Sequence, residues 1–345
     1  MRLVIGGAYQ GKKEYIKRKY GIQESEIRQG EYPVLSGKWD STWRCLCGLH
    51  NAIREIMQKS PASACENAEN TIESYVNRTI NYLSAIAERI PDLIILCDEV
   101  GNGVVPIEKS ERDYRECVGR VLCILAEQAD SVERVYCGVG QMIKNTVDIT
   151  FIRHGSTPGN RRKQYIGVTD ESLCAEGREA LLSRRMQGIY PRAARVIASP
   201  MKRCLETAQI LYPDIAPEVY PEFRETDFGL FEGKSYEALM GSDSLRPSYQ
   251  EWLDSNGVLC FPEGESMEQT QKRCAVGFER LLPTLTSDTV VIAHGGTIMS
   301  LLYLYAEPQK GYYDYQCGNG AGFVCRVELT GDGRLHRMRV DRKLV

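Results

Sequence analysis

Apolar and polar positions follow two rhythms along this chain. Short, largely apolar stretches, rich in β-branched residues, occur at 3–5, 92–98, 131–138, 149–153, 194–198 and 289–293. Such runs predict buried strands. Between them lie longer stretches whose apolar residues return every third or fourth position: 12–20, 46–58, 66–89, 112–127, 177–188 and 268–282, with further helix starts just beyond Pro200 and Gly296. These predict amphipathic helices, and Pro61 and Pro91 are natural stops for two of them. Strands alternating with helices predict an α/β chain with parallel sheets. Residues 21–43 read as irregular loops and short strands. Residues 141–147 read as a short polar joint, and 161–165 and 239–262 as loops.

At 345 residues the chain exceeds one typical core, so two domains are expected, 1–145 and 146–345. Hydrophobic content of 43% and charged content of 26% are those of a soluble globular protein. The net charge is −3 and neither half is basic, which argues against nucleic-acid or anionic-membrane partners. No apolar run reaches the length of a membrane span. Met1 and Arg2 lead directly into a strand-like run, not a signal peptide. Thirteen cysteines, with no CxxC pair, read as buried free thiols of a reducing cytoplasm rather than a zinc site.

Chemistry gathers where strands end. The run 149–152 stops at Arg153, His154 and Gly155. Open α/β sheets put their sites at the carboxyl ends of parallel strands. A neutral imidazole there can attack phosphorus and form a phosphohistidine, and the adjacent guanidinium can hold phosphoryl oxygens bidentately. The run 289–293 repeats the design and ends in His294-Gly295. Four histidines exist in the chain, and two of them end buried strands. Ser199-Pro200 ahead of a helix start aims Arg203 back toward a strand-end pocket. A carboxylate beside a phosphate site can protonate a leaving alkoxide; Glu225, Asp227 and Glu232 are all near, and spacing does not choose among them. His50 and His336 read as structural. In the first half, a strand, Gly6-Gly7-Ala-Tyr-Gln-Gly11-Lys12 and a helix form the P-loop arrangement. Position 13 is Lys where a hydroxyl would bind Mg²⁺. Asp98 and Glu99 end the next long apolar run, where such domains place a carboxylate.

Two resemblances follow. Glu99-Val-Gly-Asn-Gly-Val-Val-Pro106, Arg112-Asp-Tyr-Arg115, Gly119-Arg120, Leu125-Ala126, Ala129-Asp130 and Gly138 resemble the adenosylcobinamide kinase/adenosylcobinamide-phosphate guanylyltransferase family. The likeness covers 1–12 and 92–145. It implies a P-loop (RecA-like) α/β domain, with Gly6, Gly7, Gly11, Lys12 and Glu99 at a nucleotide site taking ATP or GTP with Mg²⁺. It places Arg112 and Arg115 near nucleotide or corrinoid. Two features depart from the family: Lys13, and the absence of a His-Arg-rich segment that carries a guanylylated histidine.

Arg153-His154-Gly155, Ser199-Pro200-Met-Lys-Arg203, Arg224-Glu225 and His294-Gly295 resemble the histidine phosphatase superfamily, the phosphoglycerate-mutase-like proteins, over about 148–300. The likeness implies an α/β/α sandwich fused to the first domain. It implies that His154 is phosphorylated, that Arg153, Arg203 and His294 bind the phosphoryl group, and that Glu225 donates the proton and later activates water. Thr157 and Asn160 are implied as substrate contacts, and no metal is implied. Phe223-Arg-Glu-Thr-Asp-Phe-Gly-Leu-Phe-Glu-Gly233 resembles the α-ribazole phosphatase branch. The function implied is hydrolysis of α-ribazole 5′-phosphate, or of a cobalamin 5′-phosphate, during cobalamin nucleotide-loop assembly, beside an adenosylcobinamide kinase-like domain. The alternative is a broad-specificity phosphatase or phosphoglycerate mutase whose first domain only binds nucleotide or corrinoid. A small phosphate ester is the expected partner.

Overall fold

A computed structural model describes residues 1–29, 40, 42–59, 72–90 and 92–345. Pro61, Pro91, the start at Glu66 and residues 30–39 and 41 of the expected loop 21–43 lie outside the described residues. The chain divides into two compact units. One is Met1–Asn145 with Thr330–Asp332, the other Thr146–Leu329 with Gly333–Val345.

The first unit runs β1 (Arg2–Gly6), α1 (Lys12–Tyr20), β2 (Ile27–Gln29), β3 (Cys45–Cys47), α2 (Leu49–Lys59), α3 (Ile72–Arg89), β4 (Ile94–Asp98), α4 (Lys109–Gln128), β5 (Ser131–Tyr136) and the first residues of β6 (Val139–Arg153). Strands β2, β3, β4, β1 and β5 are parallel neighbours in that order, and β6 closes the row antiparallel to β5. Side chains alternate between the sheet's two faces. Leu3, Ile95, Cys97 and Val132 pack under α2, α3 and α4, whereas Val4, Ile94, Leu96 and Val135 meet Tyr15 and Ile16 of α1. Helices on both faces explain the apolar runs of β1, β3 and β4. The polar stretch 141–147, read above as a joint, is β-strand. Exposure alternates over 141–144, and polar residues suit that half-exposed strand.

The second unit continues from β6 through α5 (Pro158–Arg161), α6 (Ala175–Met186), β7 (Arg195–Ala198), α7 (Lys202–Leu211), β8 (Glu218–Val219), α8 (Tyr236–Met240), α9 (Arg246–Asp254), α10 (Met267–Leu281), β9 (Thr289–Ala293), α11 (Gly295–Tyr305), β10 (Gly322–Thr330) and β11 (Leu335–Leu344). Its sheet order is β11-β10-β6-β9-β7-β8, with β6, β9, β7 and β8 parallel. Val291 and Ala293 face α10 and α11, and Val290 and Ile292 face α6 and α7. That alternation, buried on both sides, is the α/β/α sandwich. Residues 239–262, expected as a loop, hold α9. Its Tyr249 and Trp252 close over Tyr165, Phe228, Phe231 and Phe261 as a small aromatic core. His336 lies exposed on β11.

Among the described residues no helix is long and apolar enough to cross a membrane. The described cysteines are free thiols, and no described cluster of His, Cys, Asp and Glu could hold a metal ion.

Candidate active site

Three adjacent parallel strands deliver the site. The registers pair Arg153 with Ala293 and Ala198 with Ile292, so His154, Ser199 and His294 all emerge from the same edge of the sheet. The rings of His154 and His294 lie 5.1 Å apart, centre to centre, at 64°. They are 3% and 0% exposed. Two imidazoles far apart in sequence are therefore neighbours at one end of the sheet.

His154 Nδ1 lies 2.7 Å from the Gly155 carbonyl oxygen. A carbonyl only accepts, so Nδ1 carries the proton and Nε2 keeps the lone pair. The ring lines a cavity of about 280 Å³. Burial, then the guanidiniums of Arg203 and Arg153, hold its pKa well below 6.5. His154 is thus a free base at neutral pH, as a nucleophile must be.

The residues expected around the phosphoryl group fall in two layers. Arg153 lines the cavity with His154. Its Nη1 donates to the Cys317 carbonyl at 2.9 Å, while its buried Nε has no partner. Arg203 is fully enclosed and donates to the carbonyls of Thr169 and Gly167, both at 2.8 Å. Its Nε donates to His294 Nδ1 at 3.3 Å. His294 then donates from Nε2 to Ser199 Oγ at 2.7 Å. Arg203 and His294 are therefore tied to each other beside His154, with their polar atoms engaged, and do not line the cavity. Neither arginine forms an ion pair among the described residues. Burial first, then Arg203, His154 and Arg153, also depress the His294 pKa well below 6.5.

Folding separates the three carboxylates that spacing left open. Glu232 Oε1 accepts from the amides of Gly167 and Thr169, at 2.8 and 2.9 Å. Asp227 caps the Gly229 amide at 2.9 Å. Both fix loops. Glu225 is the one acidic residue lining the cavity among the described residues. Its Oε2 accepts from the Gly296 amide at 3.3 Å, at the start of α11, and its Oε1 from the Thr226 amide at 3.0 Å. A Cβ on Gly296 would lie 2.5 Å from Oε1, so only glycine lets the carboxylate approach this helix end.

Thr157 and Asn160 form a capping box on α5. Asn160 lines the cavity, whereas Thr157 is fully buried. Asn160 Oδ1 also accepts from Asn319 Nδ2 at 3.0 Å, and the same amide group donates to the His154 carbonyl at 3.1 Å. Sequence reading missed Asn319, because nothing near it in the chain signals a contact with His154. It also missed the aromatic wall, which Tyr165, Phe228, Trp252, Phe261, Tyr312 and Tyr313 contribute to the cavity.

In the first unit, Gly11 adopts φ +80 and caps α1, a left-handed turn suited to glycine. Lys12 Nζ folds back onto the Gly7 carbonyl at 2.7 Å and the Gly6 carbonyl at 3.2 Å. It pairs with Asp98 at 2.6 Å. Glu99 pairs with Arg134 at 2.8 Å. His50 Nδ1 accepts the Asp98 amide at 3.2 Å, which fixes the end of β4. The Gly-rich turn, Lys12 and the start of α1 fit a phosphate. They do not fit Mg²⁺: Lys13 occupies the hydroxyl position, and Asp98 is committed to Lys12.

Comparison with known proteins gives two family matches. The model of the histidine phosphatase superfamily (branch 1) matches residues 149–341. That of cobinamide kinase / cobinamide phosphate guanyltransferase matches 45–143. The chain is 31% identical over 161 residues to "Probable phosphoglycerate mutase GpmB" of Serratia proteamaculans, covering 43% of this chain and 70% of that one. It is 38% identical over 74 residues to "Bifunctional adenosylcobalamin biosynthesis protein CobU" of Escherichia coli, covering 21% of this chain and 41% of that one. Among solved structures, TTHB049 of Thermus thermophilus is similar, with a TM-score of 0.42 and 30% identity over 58% of this chain and 99% of that one.

Proposed function

This chain belongs to the histidine phosphatase superfamily, and on that premise we propose that its second unit hydrolyses a phosphomonoester through a phosphohistidine, with α-ribazole 5′-phosphate or a cobalamin 5′-phosphate as substrate. His154 Nε2 attacks phosphorus while the bond to the ester oxygen breaks. Glu225 gives that oxygen its proton. The carboxylate then takes a proton from water, whose oxygen attacks phosphorus and frees the imidazole. Arg153 holds the phosphoryl oxygens. Arg203 stands behind His154, helps keep it neutral and adds positive potential where charge develops, and His294 holds the Arg203 Nε in place.

The choice of substrate rests on one observation: six aromatic residues line the cavity, and Arg153 is its one cation among the described residues. A phosphoglycerate brings a carboxylate that would need a second cation. An uncharged ring-bearing alcohol needs only apolar, aromatic contact. The match of residues 45–143 to a cobinamide kinase model supports the same biosynthetic setting. Phosphate release should be measured with α-ribazole 5′-phosphate, phosphoglycerates and nucleotides, with His154→Ala as control. We expect kcat/KM for α-ribazole 5′-phosphate to exceed that for 3-phosphoglycerate by at least about tenfold. Equal or reversed preference sinks the substrate reading, and activity surviving in His154→Ala sinks the mechanism.

For the first unit we propose nucleotide binding at the Gly6–Lys12 turn, with a corrinoid as second ligand. The kinase-like match favours phosphoryl transfer. Lys13 favours binding alone, because an ammonium cannot ligate Mg²⁺. Calorimetry with ATP, GTP and adenosylcobinamide, beside a kinase assay, separates the two.

A further inference from the structure

Glu225 is gripped by residues outside the reaction scheme. Arg273, on α10, has five N–H donors, and each meets an acceptor. Its Nε donates to Glu265 Oε1 at 2.9 Å and its Nη2 to Glu265 Oε2 at 2.7 Å. Its Nη1 donates to the carbonyls of Glu222 and Arg224 at 2.8 and 2.9 Å, and its Nη2 also reaches the Glu225 carbonyl at 3.3 Å. Glu265 works on the same segment from its other side. Its Oε2 accepts the Asp227 amide at 3.1 Å and its Oε1 accepts Arg224 Nη2 at 2.9 Å.

The ion pair thus brackets residues 222–227 at three carbonyls, one amide and one side chain, with Glu225 in the middle. Both partners are largely withdrawn from water, at 12% and 16% exposure. A buried pair of this kind gains little stability over apolar side chains of similar size. What it supplies is direction, since a planar guanidinium fixes every acceptor at a set angle. General acid catalysis needs such a fix. The carboxyl must sit within hydrogen-bond reach of the ester oxygen, and displacements of about 1 Å cost about 100-fold in rate.

We propose that Arg273 and Glu265 are positioning residues for the proton donor, aiming Glu225 at the leaving oxygen without touching substrate. This rests on the reading of Glu225 as that donor.

The test separates steps that need a proton from steps that do not. Radiolabelling of His154 is followed in single turnovers with two substrates. One is p-nitrophenyl phosphate, whose phenolate leaves unaided. The other is glycerol 3-phosphate, whose alkoxide needs a proton. Glu265→Gln keeps the shape and removes the charge, and Arg273→Lys keeps the charge and removes the fork. With either variant, labelling from glycerol 3-phosphate should fall about tenfold to 100-fold, and labelling from p-nitrophenyl phosphate by less than about threefold. In a Glu225→Gln background the additional loss should vanish. Equal loss on both substrates, or loss that multiplies with Glu225→Gln, means a general structural role and overturns the proposal. Having two variants guards against one that does not fold, which far-UV circular dichroism reveals. If wild type forms no label on His154, the mechanism fails. If it labels normally and both variants match it, only the positioning role fails.

Discussion

The two site histidines should make the protein acid-labile in a measurable and removable way. Both imidazoles are fully enclosed. Burial, reinforced by Arg203 and Arg153, holds both pKa values well below 6.5. In the unfolded chain the same rings take up protons as pH falls through about 6.5. Below that pH the unfolded state therefore binds more protons than the folded one, and the free energy of unfolding falls with pH. Above about 6.5 neither state binds a proton at these rings, and their contribution is flat. Each unit of pH below 6.5 costs about 1.4 kcal/mol per imidazole. The pair thus removes about 2–3 kcal/mol by pH 5.5, a large part of a typical stability of about 5–15 kcal/mol. Urea denaturation across this range, for wild type and His154→Asn/His294→Asn, isolates the effect. The double variant loses hydrogen bonds and is weaker at pH 7, but its stability should fall less steeply in acid. His50, also depressed by burial, and the carboxylates are shared by both proteins and cancel in the difference. Identical pH slopes would refute the claim that these rings are neutral when folded.

Trp252→Ala should raise KM for α-ribazole 5′-phosphate about tenfold, the worth of one aromatic contact of about 1–1.5 kcal/mol. It should leave KM for glycerol 3-phosphate nearly unchanged, and steady-state kinetics on both substrates check this. Phosphate release should be insensitive to EDTA, because side-chain cations neutralise the phosphoryl charge in this mechanism; a loss restored by added Mg²⁺ or Zn²⁺ would contradict that.

The parts of the site legible in the sequence were those carried by single strands. His154 and His294 each terminate a run apolar enough to require burial on both faces, and parallel neighbours align their ends. Choosing among Glu225, Asp227 and Glu232 needed three dimensions. Glu232 is spent on the amides of Gly167 and Thr169, over sixty residues away, and no local pattern encodes that. Asn319 and the Arg273–Glu265 bracket escaped for the same reason. The stretch 239–262 was misread because α9 spans only nine residues, too few turns for its periodicity to stand out. The joint at 141–147 was misread because polar composition suggested a break, whereas a half-exposed strand tolerates it. In the first unit the strand, Gly-rich turn and helix were plain, but the Lys12–Asp98 pair joins the start of α1 to the end of β4 and only folding reveals it.

The electrostatics of the second unit favour an anion in the cavity. The chain carries net charge −3, and many of its arginines are paired: Arg54 with Glu111, Arg178 with Glu206, Arg195 with Glu218, Arg273 with Glu265. Arg203 and Arg153 are exceptions among the described residues, and Arg203 is fully buried. Carbonyl oxygens and the His294 ring accept from Arg203 but do not neutralise its charge, and an unpaired buried charge is costly. The same charge pushes the His154 pKa down, which would be wasted if that ring were merely structural. It gains meaning if His154 must attack as a free base and the group it attacks brings the missing negative charge. A phosphoryl dianion meets both conditions: it can give the unpartnered Nε of Arg153 an acceptor, and its charge offsets that of Arg203 behind the ring. In the proposed mechanism, once phosphorus is bonded to Nε2 and the leaving group has gone, Arg153 would hold the phosphoryl oxygens while Glu225 directs water at the phosphorus.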